Sequence, residues 1–416
     1  MKKEGSKKIS LKSQSGILLK KWERFIFRGV YKWCFRLLGL LPADKNLVMF
    51  ESFFGRQYSC NPRAIYEYMK ENCREYRLIW SANRKYEGLF EQYGIPYVRR
   101  YSLQWLLLMS RARYWVTNVR FPSWFSKSKH TIYLQTWHGT PLKRLGTDIE
   151  HYLIPGTSAE SYKKNFVKDS GMWDVLISPN RYSSGIFKRA FGYGKTILET
   201  GYPRNDYLYQ ANQDNAIRKI KEKCGLPRDK KVILYAPTWR DDQFYSEEHY
   251  RFDLHLDLNL MRDRLADDYV VILRMHYLIA SRLDLGTYAG FAFDFSQYDD
   301  IRELYLISDL LITDYSSVFF DFANLRRPMI FFAYDIDKYR DFLRGFYFDF
   351  ENKAPGPIVR TTDAVIRAVQ ETENPDFQPS ENFEAFFRKF CSLEGGRSSE
   401  RVVKRVFYSD EAREVF

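Results

Sequence analysis

Residues 269 to 276 read YVVILRMH, and four aliphatic side chains in unbroken succession limit what this stretch can become. A strand with one wet face alternates apolar and polar residues. A continuous run suits a strand buried on both faces, in a parallel sheet covered by helices. Such runs recur in two series, separated by helical-looking segments. The first series is 47–52, 77–81, 114–119, 131–137, 175–178 and 196–200; the second is 231–236, 269–275, 291–295, 310–313 and 329–333. Residues 204–230 between them turn polar, as a boundary with a connecting helix would. Two β/α series predict an α/β chain of two Rossmann-like, doubly wound domains facing a cleft. Their expected spans are 45–210 and 211–416, behind a leader at 1–44, with the last helices able to cross back.

The 416-residue chain has a net charge of +13, and residues 1–36 alone hold eight Lys, three Arg and two Glu, a net of +9. Charge gathered at one end argues against a nucleic-acid-binding surface and for a segment that meets an anionic membrane. Lys20, Arg24, Arg28, Lys32 and Arg36 recur every four residues, one stripe of a helix, while Trp22, Phe25 and Trp33 stand among the apolar residues of the other faces. An amphipathic helix of this kind lies in the headgroup region of a bilayer. The plainer reading is a terminal helix packed on its own domain with the basic stripe solvated. No run of 18 apolar residues predicts a spanning helix, and no cleavable secretory signal is expected. The five cysteines, Cys34, Cys60, Cys73, Cys224 and Cys391, are scattered and never form a CxxC pair. That argues for a reducing compartment and against a disulfide framework or a zinc site.

In doubly wound folds ligands sit beyond the carboxyl ends of the strands, so polar residues there are the candidates. YLQTWHGTP closes a strand with His138, then Gly139. This histidine is either a base held where backbone meets ligand or a turn residue with a satisfied hydrogen bond. LLITDYSSVFFDFANL ends a strand at Thr313 and sets Ser316 or Ser317 at a helix cap, where hydroxyls, amides and dipole make an anion site. Ser-Ser caps also occur without any ligand. Asp321, one turn on, either orients a ligand hydroxyl or complements the dipole. YVVILRMH closes with Arg274 and His276 on the same side of an extended chain, suited to a diphosphate; the alternative is an ion-paired arginine and a buried histidine. LYAPTWRDD offers Thr238, Arg240 and the acids Asp241 and Asp242, which read as an exposed loop rather than a metal site. TGYPRND brings Arg204 and Asp206 to the domain boundary, as hinge or cleft floor. His130, His151, His249 and His255 stand in polar or loop contexts and read as structural or exposed. The lack of GxxxxGK[ST], GxGxxG, HExxH and GxSxG motifs sets aside P-loop, metalloprotease and α/β-hydrolase chemistry.

Together WHGTPLKRLG, TGYPRND, YAPTWR, RMHY and TDYSSVFFDFA, in this order within residues 45–350, resemble the CDP-glycerol glycerophosphotransferases that build teichoic acids in Gram-positive bacteria. The resemblance implies a GT-B fold, chemistry without metal or cofactor, and a peripheral position on the cytoplasmic face of the cell membrane. It implies transfer of glycerol phosphate from CDP-glycerol to a hydroxyl of an undecaprenyl-diphosphate-linked acceptor, with release of CMP. The N-terminal domain would hold the acceptor and the C-terminal domain CDP-glycerol. His138 corresponds to the general base and His276 to the second required histidine, beside the donor diphosphate. Ser316 and Ser317 would hold phosphate oxygens, with Arg274 and Arg240 as charge partners. Gly139, Arg204, Asp206, Thr238, Thr313 and Asp321 complete the expected substrate-binding set. Polymerising members often carry a further large domain, so this chain's length suggests the priming type, which adds the first glycerol phosphate to the lipid-linked ManNAc-GlcNAc disaccharide. Glycerol- or ribitol-phosphate polymerisation stays open within the family. Outside it stand a GT-B glycosyltransferase using a sugar nucleotide and a non-catalytic basic module. The expected partners are CDP-glycerol, the lipid-linked acceptor and an anionic membrane surface, with no nucleic acid; self-association is left open.

Overall fold

The computed structural model describes residues 29–122, 124–150, 158–238, 244–246, 249–250, 254–275, 285–339 and 345–408. Strands β1 (Asp44–Glu51), β2 (Arg77–Ala82), β3 (Tyr97–Arg99), β4 (Ala112–Thr117), β5 (Ile132–Gln135), β6 (Val175–Ser178) and β7 (Thr196–Glu199) form one sheet. Its order is β3-β2-β1-β4-β5-β6-β7 and every pairing is parallel. After β8 (Lys231–Ala236), β9 (Phe244–Ser246) and β10 (His249–Tyr250) make a separate antiparallel pair. β11 (Tyr269–Leu273), β12 (Ala292–Asp294), β13 (Leu310–Thr313), β14 (Met329–Phe332) and β15 (Ile358–Val359) join β8 in a second parallel sheet, ordered β12-β11-β8-β13-β14-β15. Both sheets reverse direction of strand addition beside their first strand, between β1 and β4 and between β8 and β13. Those switch points open a crevice at the carboxyl ends of the strands.

The continuous apolar runs are the inner strands: every residue of β11, β13 and β14 is buried. β3, β9, β10 and β15 escape the sequence pattern because two or three residues are too few to show a period. Three expected strands end two residues early, among them β11 at Leu273. β4 stops at Thr117 and β5 at Gln135, where the chain leaves the sheet and Trp137 adopts φ +50, a value no strand continues through. All five cysteines are free thiols.

The membrane-leader residues Lys20, Trp22, Arg24, Phe25 and Arg28 lie outside the described residues. Residues 29–38 are helical and show two apolar faces. Tyr31 and Phe35 are buried: the Tyr31 hydroxyl donates to the Ser102 carbonyl at 3.3 Å, and the Phe35 ring lies 4.7 Å from that of Phe125. Val30, Trp33 and Leu37 point outward, Trp33 64% exposed, with Arg36 5.7 Å from its ring; Lys32 is half-buried. Among the described residues no helix is long and apolar enough to cross a membrane.

Several joints among the described residues tie the two domains together, three of them as follows. The first is a buried ion pair, in which Nη2 of Arg204, from the turn Pro203–Asn205 after β7, reaches both oxygens of Asp321 at 3.0 and 2.8 Å. In the second, Arg63 and Glu67 on the helix Cys60–Asn72 meet Asp300 and Arg302, with Arg63 Nη1 at 3.1 Å from Asp300. In the third, the helix Ser398–Phe407 crosses back to the first sheet, where the Phe407 ring packs 4.4 Å from that of Tyr114. Removing one partner of a buried pair strands the other charge without water. Asp321→Ala is therefore expected to cost about 3–5 kcal/mol, read as a lowered midpoint in urea denaturation.

Candidate active site

His138 stands on the loop after β5, at the β1/β4 switch point. Its Nδ1 lies 2.6 Å from the Asn118 carbonyl. A carbonyl only accepts, so Nδ1 carries the proton and Nε2 keeps its lone pair, the tautomer a general base needs. Asn118, just beyond β4, is fully buried and held at both ends of its amide: Oδ1 accepts from the Phe53 N–H at 3.0 Å, and Nδ2 donates to the Ser52 hydroxyl at 3.1 Å. The Trp137 ring stacks on the imidazole at 4.6 Å and Phe53 meets it edge-on at 5.6 Å. Phe53, Phe54 and Trp137 all have positive φ, so this corner is strained and fixed by its surroundings. Burial, with a smaller push from Arg204, lowers the His138 pKa to about 4, against the opposing hydrogen bond to Asn118. The free imidazole is neutral and ready to accept a proton at neutral pH.

Asn61 joins this corner to the domain boundary. It sits in the first turn of the helix Cys60–Asn72. Its Nδ2 donates to the carbonyls of Thr136 and Trp137, both at 3.2 Å, and its Oδ1 accepts from the Arg204 N–H at 3.1 Å. Despite full burial Arg204 is held protonated by the Asp321 carboxylate.

The second domain brings its own switch-point residues opposite. A side-chain carbon on Gly139 would come 3.0 Å from the Ser317 hydroxyl oxygen, so the loop after β5 and the loop after β13 approach as closely as glycine allows. Ser316 and Ser317 are half-buried, and Ser317, the residue before the helix Val318–Phe322, makes no side-chain capping bond. Asp314 steadies this loop, accepting from the Thr238 N–H at 2.8 Å and the Tyr315 N–H at 2.5 Å.

The cleft thus gathers His138, Gly139, Ser316 and Ser317, with Thr238 beside them. Other expected ligands are engaged within the protein. Arg204 and Asp321 form the joint already described. Both Asp206 oxygens accept from the Ser398 and Ser399 amides at 2.8 and 2.7 Å, capping the returning helix. The Thr313 hydroxyl donates to the Ala236 carbonyl at 2.7 Å, and Arg274 donates to the carbonyls of Phe295 and Ser296 at 2.7 and 2.8 Å. Arg240, His276, Asp241, Asp242 and His151 lie outside the described residues, as does the side chain of His249. His130 Nε2 contacts the Ser110 carbonyl at 3.0 Å, and the His255 ring lies 4.0 Å from that of Tyr334. Asn118, Asn61 and Phe53 are the residues that strand-end reasoning passed over. No sequence signal marks Asn118, whose contact with His138 is made by its backbone carbonyl.

A family model described as CDP-Glycerol:Poly(glycerophosphate) glycerophosphotransferase matches residues 33–408. The teichoic acid poly(glycerol phosphate) polymerase of Bacillus subtilis (strain 168) is 59% identical over 380 residues, which are 91% of this chain and 51% of that protein, so the chain spans about half its length. The protein of the same name from Bacillus spizizenii (strain ATCC 23059 / NRRL B-14472 / W23) is 51% identical over 94% of this chain and 98% of its own length. Among solved structures, the wall teichoic acid polymerase TagF superposes with a TM-score of 0.82 at 43% identity, covering 92% of this chain and 95% of that one. The fold is accordingly GT-B-like, and the chain belongs to the CDP-glycerol glycerophosphotransferase family.

Proposed function

We propose that the protein transfers glycerol phosphate from CDP-glycerol to a hydroxyl of a lipid-linked teichoic acid acceptor, releasing CMP, at the cytoplasmic face of the membrane. The observation that carries this reading is a tautomer-fixed His138 next to Gly139, which closes on Ser317 where the switch-point loops of two Rossmann-like domains meet. His138 Nε2 takes the proton of the acceptor hydroxyl, whose oxygen attacks the phosphorus bearing glycerol. The bond from that phosphorus to the bridging oxygen breaks, and CMP leaves with the electron pair. Ser316 and Ser317 hold phosphate oxygens, and the family resemblance assigns Arg240 and His276 to the same diphosphate. A diphosphate arriving beside a partly buried imidazole raises its proton affinity, so the donor itself strengthens the base.

Length does not decide between priming and polymerisation, because relatives matched over almost their whole length include one named polymerase and one named glycerol-phosphate transferase. The reading adopted is addition to an acceptor that already ends in glycerol phosphate. The outward Val30, Trp33 and Leu37, with Lys32 and Arg36 between them, suit a peripheral hold on an anionic bilayer.

Incubation with CDP-glycerol and a lipid-linked acceptor is expected to release CMP and lengthen the acceptor, counted by mass analysis of the lipid. Turnover of a sugar nucleotide instead would identify a glycosyltransferase. His138→Ala is expected to lower kcat by about a hundredfold or more while CDP-glycerol still binds; wild-type turnover would remove His138 from the mechanism. Because the free imidazole is held below its usual range, activity as kcat/KM should persist down through pH 6.5 and decline only as pH approaches about 4. An acid limb at or above pH 6.5 contradicts the neutral-base assignment. Trp33→Asp with Leu37→Asp is expected to weaken sedimentation with anionic vesicles, leaving the melting transition in place because both side chains face outward.

A further inference from the structure

A cavity of about 560 Å³ opens beside His138 on the N-terminal-domain side of the cleft. Phe53, Trp137, Tyr162 and Phe166 supply its aromatic walls, and among its described lining residues Arg120 alone carries a permanent charge. The Arg120 guanidinium lies 4.2 Å from the Phe166 ring centre and 5.3 Å from that of Tyr162. Stacking occupies the faces of a guanidinium and leaves its N–H edges for acceptors in its own plane, as phosphate oxygens are. Arg120 has no ion pair among the described residues. It also sits two residues after Asn118, so the short segment that fixes the base fixes this cation as well.

We propose that Arg120 on its aromatic shelf is the subsite that reads the phosphodiester nearest the acceptor's reacting hydroxyl. The inference rests on the function proposed above. There the donor diphosphate belongs to the loops of the second domain, so an anion bound on the His138 side comes from the acceptor. In a glycerol phosphate chain every terminal hydroxyl is followed by a phosphodiester at the same spacing. One arginine therefore registers the chain end in each round of addition, while the aromatic walls suit the apolar faces of glycerol or sugar units behind it. The nearby Asp169 is the competing partner. It is 1% exposed, and burial pushes its carboxyl up to about 7 against the lowering effect of Arg120, so near neutrality it offsets only part of the arginine's charge.

The test is steady-state kinetics of Arg120→Gln and Arg120→Lys with a short-chain lipid-linked disaccharide carrying one terminal glycerol phosphate. R120Q is expected to raise the acceptor KM about tenfold or more, the worth of a charge-assisted hydrogen bond, with the CDP-glycerol KM within about twofold of wild type. R120K should fall between the two. If R120Q is recovered unfolded, R120Q with Asp169→Asn removes the stranded acid, and the same KM pattern is expected. An unchanged acceptor KM, equal rises in both KM values, or R120K no better than R120Q overturns the subsite. Wild-type protein that releases no CMP overturns the proposed function and the subsite with it. A working wild type beside an R120Q of normal acceptor KM removes the subsite alone.

Discussion

The contact between Arg204 and Asp321 determines how the two halves of the molecule face one another. Both charges are almost wholly removed from water, a position neither would hold alone. Pairing them fixes the turn after β7 against the helix that follows Ser317. The same turn is gripped by Asn61, whose amide also holds the carbonyls of Thr136 and Trp137 next to His138. A single chain of contacts therefore runs from the loop of the base, through Asn61 and Arg204, to Asp321 and the serines beyond. The close approach of Gly139 to Ser317 is the outcome.

That joint also has an electrostatic effect on the chemistry. Arg204 stays protonated beside Asp321, and its remaining field adds to burial in keeping His138 neutral. Against both, the Asn118 carbonyl favours a proton on the ring but fixes it on Nδ1. The cleft thus holds an imidazole that is neutral without substrate and becomes more basic only when negative charge arrives. In the proposed mechanism such a base avoids the protonated, inert form across the physiological range, and its strength would follow occupancy of the donor site.

The sheets were legible because strands covered on both faces are written as unbroken apolar runs, YVVIL being the plainest. β3 and β15 were not, since two or three residues carry no period; β12, equally short, was legible through the apolar residues that flank it. His138, Gly139, Ser316 and Ser317 were recognisable as a set because they end strands at the two switch points. Thr313, Arg274 and Asp206 end or follow strands too, yet their polar groups bind neighbouring carbonyls and amides. Position at a strand end does not distinguish a ligand from a stitch between loops; the partners decide. Asn118 was illegible for a different reason, since its effect on His138 passes through a backbone carbonyl that any residue possesses. Its side chain only holds that carbonyl in place.

The segment from Asn118 to Phe125 links features that are distant in role. Asn118 orients the base, Arg120 and Phe121 line the cavity beside it, and Trp124 and Phe125 pack beneath Tyr31 and Phe35 of the helix at residues 29–38. The outer face of that helix carries the exposed Val30, Trp33 and Leu37. The helix with the exposed apolar face and the cavity beside His138 are thus built on the two ends of one eight-residue stretch. Side chains packed at interior density transmit displacement with little loss. Under the proposed function, seating the helix on a membrane would then set the height of the cavity mouth above the lipid surface, where a lipid-linked acceptor would reach His138.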